Sequence, residues 1–95
     1  MYVNGICSER KQELCKILAS NLSTLRAKAG LSQDELADRL GLSRQTICAF
    51  EKQKRPMQWT TFSATTLFFS QDNEIKHLMT AMGIINDDIK AFLNI

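Results

Sequence analysis

The chain has 95 residues, 44% of them hydrophobic, and a formal net charge of +2 at pH 7. That length suits one domain with a limited core. No stretch approaches the roughly 18 apolar residues of a membrane span, and residues 1–11 lack the apolar centre of a secretory signal, so neither a membrane protein nor an exported one is expected. The charge is unevenly spread: residues 1–58 hold ten Lys/Arg against six Asp/Glu, and residues 59–95 hold two against four. A basic half is thus followed by an acidic one. Cys7, Cys15 and Cys48 are odd in number and scattered, which fits reduced thiols in the cytoplasm. They form no close ligand pair with one another or with the lone His77, so no metal and no cofactor is expected. Redox switching through Cys48 would need a lowered thiol pKa, for which Arg44 is the nearby cation.

Met1–Cys7 is expected to fray. Ser8 to about Ala29 predicts a long helix with Leu14, Leu18, Leu22 and Leu25 on one stripe, ended by Gly30. Ser32-Gln33-Asp34-Glu35 then reads as a capping box, with Asp34 and Glu35 set against the positive end of a helix dipole. The helix it opens carries apolar Leu36, Ala37 and Leu40, and Gly41 supplies a turn at positive φ. Ser43 is a good N-cap for a second helix whose apolar pair is Ile47 and Phe50. Small Ala37 lets the two helices cross closely. Residues 33–52 therefore predict a helix-turn-helix, whose second helix enters the major groove of DNA.

At 100° per residue, Arg44, Gln45, Cys48, Ala49 and Lys52 share an arc of about 140° on that second helix, opposite Ile47 and Phe50. Arg can pair in two-pronged fashion with guanine O6/N7, and Gln with adenine N6/N7. Cys48 and Ala49 are short enough to let the helix approach the bases and to touch a thymine methyl. Arg44, Gln45, Cys48 and Ala49 are accordingly the candidate base contacts. The ordinary fate of such residues, a solvated helix face, is outweighed by the motif around them. Candidate phosphate contacts frame the helix: Ser32 and Gln33 at the start of the preceding helix, where free N–H groups and the dipole favour an anion, and Ser43. Lys52, Lys54 and Arg55, three cations in four residues, follow the helix.

The segment from Leu25 to Pro56, LRAKAGLSQDELADRLGLSRQTICAFEKQKRP, resembles the Cro-type repressor, or xenobiotic-response-element (XRE), family of helix-turn-helix regulators. The matching positions are Leu25-Arg26, Leu31-Ser32-Gln33, Leu36-Ala37, Leu40-Gly41, Ser43, Ile47 and Glu51. The resemblance implies an all-α, lambda-repressor-like domain of about five helices plus a short C-terminal helix. It also implies that Gln33 grips the DNA backbone and buttresses the recognition helix, and that Arg26 and Glu51 form a partly buried structural ion pair. Relatives commonly follow the Glu51 position with Asn-Gly, whereas Lys52-Gln53 stands here, so the recognition helix is expected to run on or to end differently. The first helix is longer than in many relatives, which makes residues 8–15 an extension or a separate turn.

Residues 59–69, WTTFSATTLFF, hold four threonines and four aromatics and favour a strand by propensity. The resemblance instead makes them the fourth helix, with Trp59, Phe62 and Leu67 packed on the core. Residues 71–82 predict a helix with Ile75, Leu78, Met79 and Met82 on one stripe, stopped by Gly83. Asn86 or Asp87 would cap a last short helix carrying Ile89, Phe92 and Leu93.

The chain is thus read as a single domain, 1–95, with a DNA-binding core at 8–69 and C-terminal helices at 70–95. The many apolar residues of that tail make Ile84, Ile85, Ile89, Phe92 and Leu93 a candidate homodimer interface. The function implied is a sequence-specific DNA-binding regulator, a repressor of bacterial or phage type that occludes a palindromic operator. The alternative is an antitoxin or other protein-interaction module on the same fold, whose C-terminal half grips a protein partner. One histidine, no nucleophile constellation and no phosphate loop give an enzyme no support.

Overall fold

The computed structural model describes Tyr2–Val3 and residues 5–95. Among the described residues are a short antiparallel hairpin, β1 (Tyr2–Val3) and β2 (Ile6–Cys7), and six helices. The helices are α1 (Ser8–Lys28), α2 (Gln33–Leu40), α3 (Arg44–Glu51), α4 (Trp59–Phe69), α5 (Asn73–Ala81) and α6 (Asp87–Leu93).

The hairpin corrects the expected fraying over Tyr2–Val3 and Ile6–Cys7; Met1 and Asn4 lie outside the described residues. Ile6 pairs with Val3 and is buried, so this end of the chain is held by apolar packing as well as by the strand. The Asn-Gly pair at 4–5 was the available signal, and Gly5 takes φ +81°.

The α1 helix runs unbroken from Ser8, so residues 8–15 are a continuous extension. Its leucine stripe, Leu14, Leu18, Leu22 and Leu25, forms the spine of the core. Inner faces of α2 (Leu36, Ala37), α3 (Ile47, Phe50) and α4 (Phe62, Phe69) close on the same cluster. Fully burying one such leucine, isoleucine or phenylalanine contributes about 1.5–3 kcal/mol.

Residues 59–69 are helical despite their composition, because the buried positions Phe62, Thr65, Thr66 and Phe69 fall at helical spacing. Two small threonines on the inner face let α4 lie close against α1. Leu67 does not join the core and is 41% exposed. Five residues after Phe62, it sits about 140° around the helix from it.

Asp72 caps α5 by accepting from the Ile75 amide at 3.1 Å, and Asn86 caps α6 by accepting from the Ile89 amide at 2.9 Å. Ile84, Ile85 and Ile89 are 0–1% exposed and belong to the core of their own chain. That corrects their assignment to a dimer interface: their surface is already covered. Phe92 and Leu93 are only partly buried.

Candidate nucleic-acid interface

The start of α2 is fixed by reciprocal hydrogen bonds. The Glu35 amide donates to Ser32 Oγ at 3.1 Å, and the Ser32 amide donates to Glu35 Oε1 at 2.9 Å. The backbone amide and hydroxyl of Ser32 hold the Glu35 carboxyl below the usual carboxylate range. The helix ends at Gly41, φ +68°, where the Leu42 amide reaches back to the Ala37 carbonyl at 2.9 Å. Ser43 then opens α3 by accepting from the Thr46 amide at 3.1 Å. These two caps and one turn set the angle between α2 and α3.

With Ile47 and Phe50 turned inward, α3 shows Arg44, Gln45, Cys48, Ala49 and Lys52 outward. Together with Gln33 and Lys54 they line one open depression. Arg44, Gln45 and Lys52 are exposed, while Cys48 and Ala49 are partly buried at its base. Long donors therefore stand around a low apolar floor, a shape that admits the edges of bases.

Beneath this face lies a chain of polar contacts. Arg26, on α1, donates from Nε to Glu51 Oε2 at 2.8 Å and from Nη2 to Oε1 at 3.2 Å. Its Nη1 also donates to the Leu31 carbonyl at 3.0 Å. Gln33 Nε2 donates to the same Glu51 at 3.0 Å, and Gln33 Oε1 accepts from Arg44 Nε at 3.5 Å. Burial works to raise the Glu51 carboxyl, but hydrogen bonds from Arg26 and Gln33 outweigh it and hold the group below the usual range. The Arg26 guanidinium is in turn pushed up by its bond to Glu51. The pair joins α1 to the end of α3, and Gln33 carries the linkage to Arg44.

The loop after α3 ends the helix without glycine. Gln53 adopts φ 55°, and the Lys54 amide bonds the Ala49 carbonyl at 2.9 Å, so a glutamine occupies the left-handed position. The helix thus stops at Glu51. Arg55 folds back: its Nη1 donates to Thr46 Oγ1 at 3.2 Å, and its guanidinium lies 6.0 Å from the Phe50 ring. Thr46 Oγ1 is also 2.9 Å from Ser43 Oγ. Ser43 and Arg55, both candidate phosphate contacts, are therefore drawn together by Thr46, a residue the sequence pattern placed merely at the edge of the face. Ser32 and Gln33 stand beside Arg44 on a second shallow surface. Lys52 and Lys54 remain exposed.

An outward recognition helix braced by a capped partner defines a helix-turn-helix protein of all-α, lambda-repressor-like fold. Residues 22–57 match the family model described as helix-turn-helix, and this segment is a helix-turn-helix of the XRE type, a family of DNA-binding regulators. No curated protein and no solved structure matches the chain. No helix among the described residues is long and apolar enough to cross a membrane.

Proposed function

We propose that the protein is a cytoplasmic transcriptional repressor that binds a palindromic operator as a homodimer. The observation that carries this is the outward face of α3, where exposed Arg44 and Gln45 stand around partly buried Cys48 and Ala49. Arg44 and Gln45 read base edges, with Cys48 and Ala49 against thymine methyls. Ser32, Gln33, Ser43, Lys52, Lys54 and Arg55 fix the register on the phosphates. Two copies place their recognition helices in successive major grooves, roughly 34 Å apart, and exclude polymerase. Phe92 and Leu93, partly exposed on α6, supply apolar surface for pairing.

Selection of sites from random duplex DNA tests this reading, with ultracentrifugation of the selected complex. A repressor dimer should select a palindromic site with half-sites about 10 bp apart and place two protein chains on each duplex. Weak sequence-blind binding, with a second protein copurifying in equal amount, would overturn it in favour of a protein-interaction module.

A further inference from the structure

Beside the recognition face, an open cleft of about 560 Å³ separates the N-terminal half of α1 from the loop after α3. Gln12 and Lys16 form one wall, Lys54 and Arg55 the other, and Cys15 and Met57 lie in the floor. No carboxylate among the described residues lines it. Glu13, adjacent on α1, is engaged by Arg10 at 2.8 Å. Three cations around an opening without a counter-charge create a positive potential that favours an anion. Two further facts bear on which anion. Lys54 also lines the depression on the α3 face, so cleft and recognition face are neighbours that share a wall. Arg55 is already tethered to Thr46 on α3, so little freedom is lost when it meets a ligand.

We propose that this cleft is a seat for a backbone phosphate of duplex DNA lying beyond the base-contacting groove, with Lys16 and Gln12 of the α1 extension as its contact residues. This rests on the DNA-binding reading above. Lys16 supplies a point charge and Gln12 an amide donor from one side, and Lys54 and Arg55 close from the other. A contact there would pin the far end of α1 to the duplex, so that α3 is oriented from both sides.

The test is the salt dependence of duplex binding. Each neutralised phosphate adds about 0.9 to the slope of log affinity against log salt. Lys16→Ala is expected to lower that slope by about 1 and to weaken binding roughly 3- to 10-fold at ~150 mM salt, equally across sequences. Lys16→Arg should retain the slope. Lys28→Ala, which removes an exposed charge from the same helix, should leave it unchanged. Circular dichroism checks that each variant is folded; Lys16 is exposed, so truncation removes no core contact. An unchanged slope in Lys16→Ala, or an equal fall in Lys28→Ala, overturns the seat. So does saturation of the cleft by inorganic phosphate without any slope change, which would assign it to a free anion. The slope can be read on any duplex, so loss of sequence selection would break the repressor reading and leave the seat standing. Absence of all duplex binding would remove both.

Discussion

Arg26 and Glu51, 25 positions apart in sequence, meet through two hydrogen bonds of 2.8 and 3.2 Å, with side chains 20% and 9% exposed. A buried pair of this kind adds little net stability when intact, yet removing one partner strands the other's charge. Glu51→Ala is therefore expected to cost about 3 kcal/mol in denaturant unfolding, while Arg26→Met combined with Glu51→Leu costs less than either single change. A double variant as unstable as the sum of the singles would contradict the coupling.

The same carboxylate gives the protein an acid-sensitive term. The Glu51 carboxyl is held low in the folded state, so its stabilisation is complete above its unfolded value near ~4.3 and is lost as pH falls through the lower folded value. Melting temperatures between pH 7 and about pH 3 should fall more steeply in the wild type than in Glu51→Gln. Glu35, whose carboxyl is also held low by Ser32, contributes to the slope that remains in the variant.

Gln53 holds a left-handed conformation at φ 55° that costs a non-glycine residue about 1–2 kcal/mol. Glycine removes that strain but loses more entropy on folding, so Gln53→Gly should raise stability by about 1 kcal/mol and the melting temperature by roughly 4–8 °C. A fall would show that the Gln53 side chain contributes more than its backbone strain costs.

The hydroxyls of Thr65 and Thr66 are buried on the inner face of α4 without a hydrogen-bond partner among the described residues. Valine has the same branching and no polar atom. Thr66→Val should raise unfolding free energy by about 1 kcal/mol, since an unsatisfied hydroxyl no longer has to be desolvated. Calorimetry on the single variant decides it, and destabilisation would mean that the hydroxyl is satisfied in solution.

Burial pushes the Cys15 thiol up to about 11, so almost none of it is thiolate at pH 8. Timed alkylation with iodoacetamide, read by mass spectrometry, should label Cys7 and Cys48 well before Cys15, which is 7% exposed in the cleft floor and held protonated. Labelling of Cys15 as fast as Cys48 would contradict the raised thiol.

The parts of this fold that could be read from sequence are those with a local cause. Ser32 and Glu35 announce the start of α2, Gly41 its end and Ser43 the start of α3, because caps and turns are made by residues a few positions apart. The outward set on α3 followed from helical period alone. The fate of the apolar tail was not legible: Ile84, Ile85 and Ile89 look the same in sequence whether they cover their own core or a partner's. Leu67 was misplaced for a related reason, since small Thr65 and Thr66 take the inner face of α4 that a leucine would be expected to hold. Thr46 acquires its role only through Arg55, nine positions on, a contact that no spacing rule supplies.

On the proposed reading, Arg44 and Gln45 contact base edges. The decisive measurement repeats the selection from random duplex DNA at ~150 mM salt with Arg44→Ala and Gln45→Ala and compares preference base by base. Each variant is expected to lose preference at its own symmetric pair of positions, a guanine for Arg44 and an adenine for Gln45, worth about 1–3 kcal/mol each, with the rest of the site retained. Uniform weakening across all positions in both variants would contradict it, because that is the behaviour of phosphate contacts.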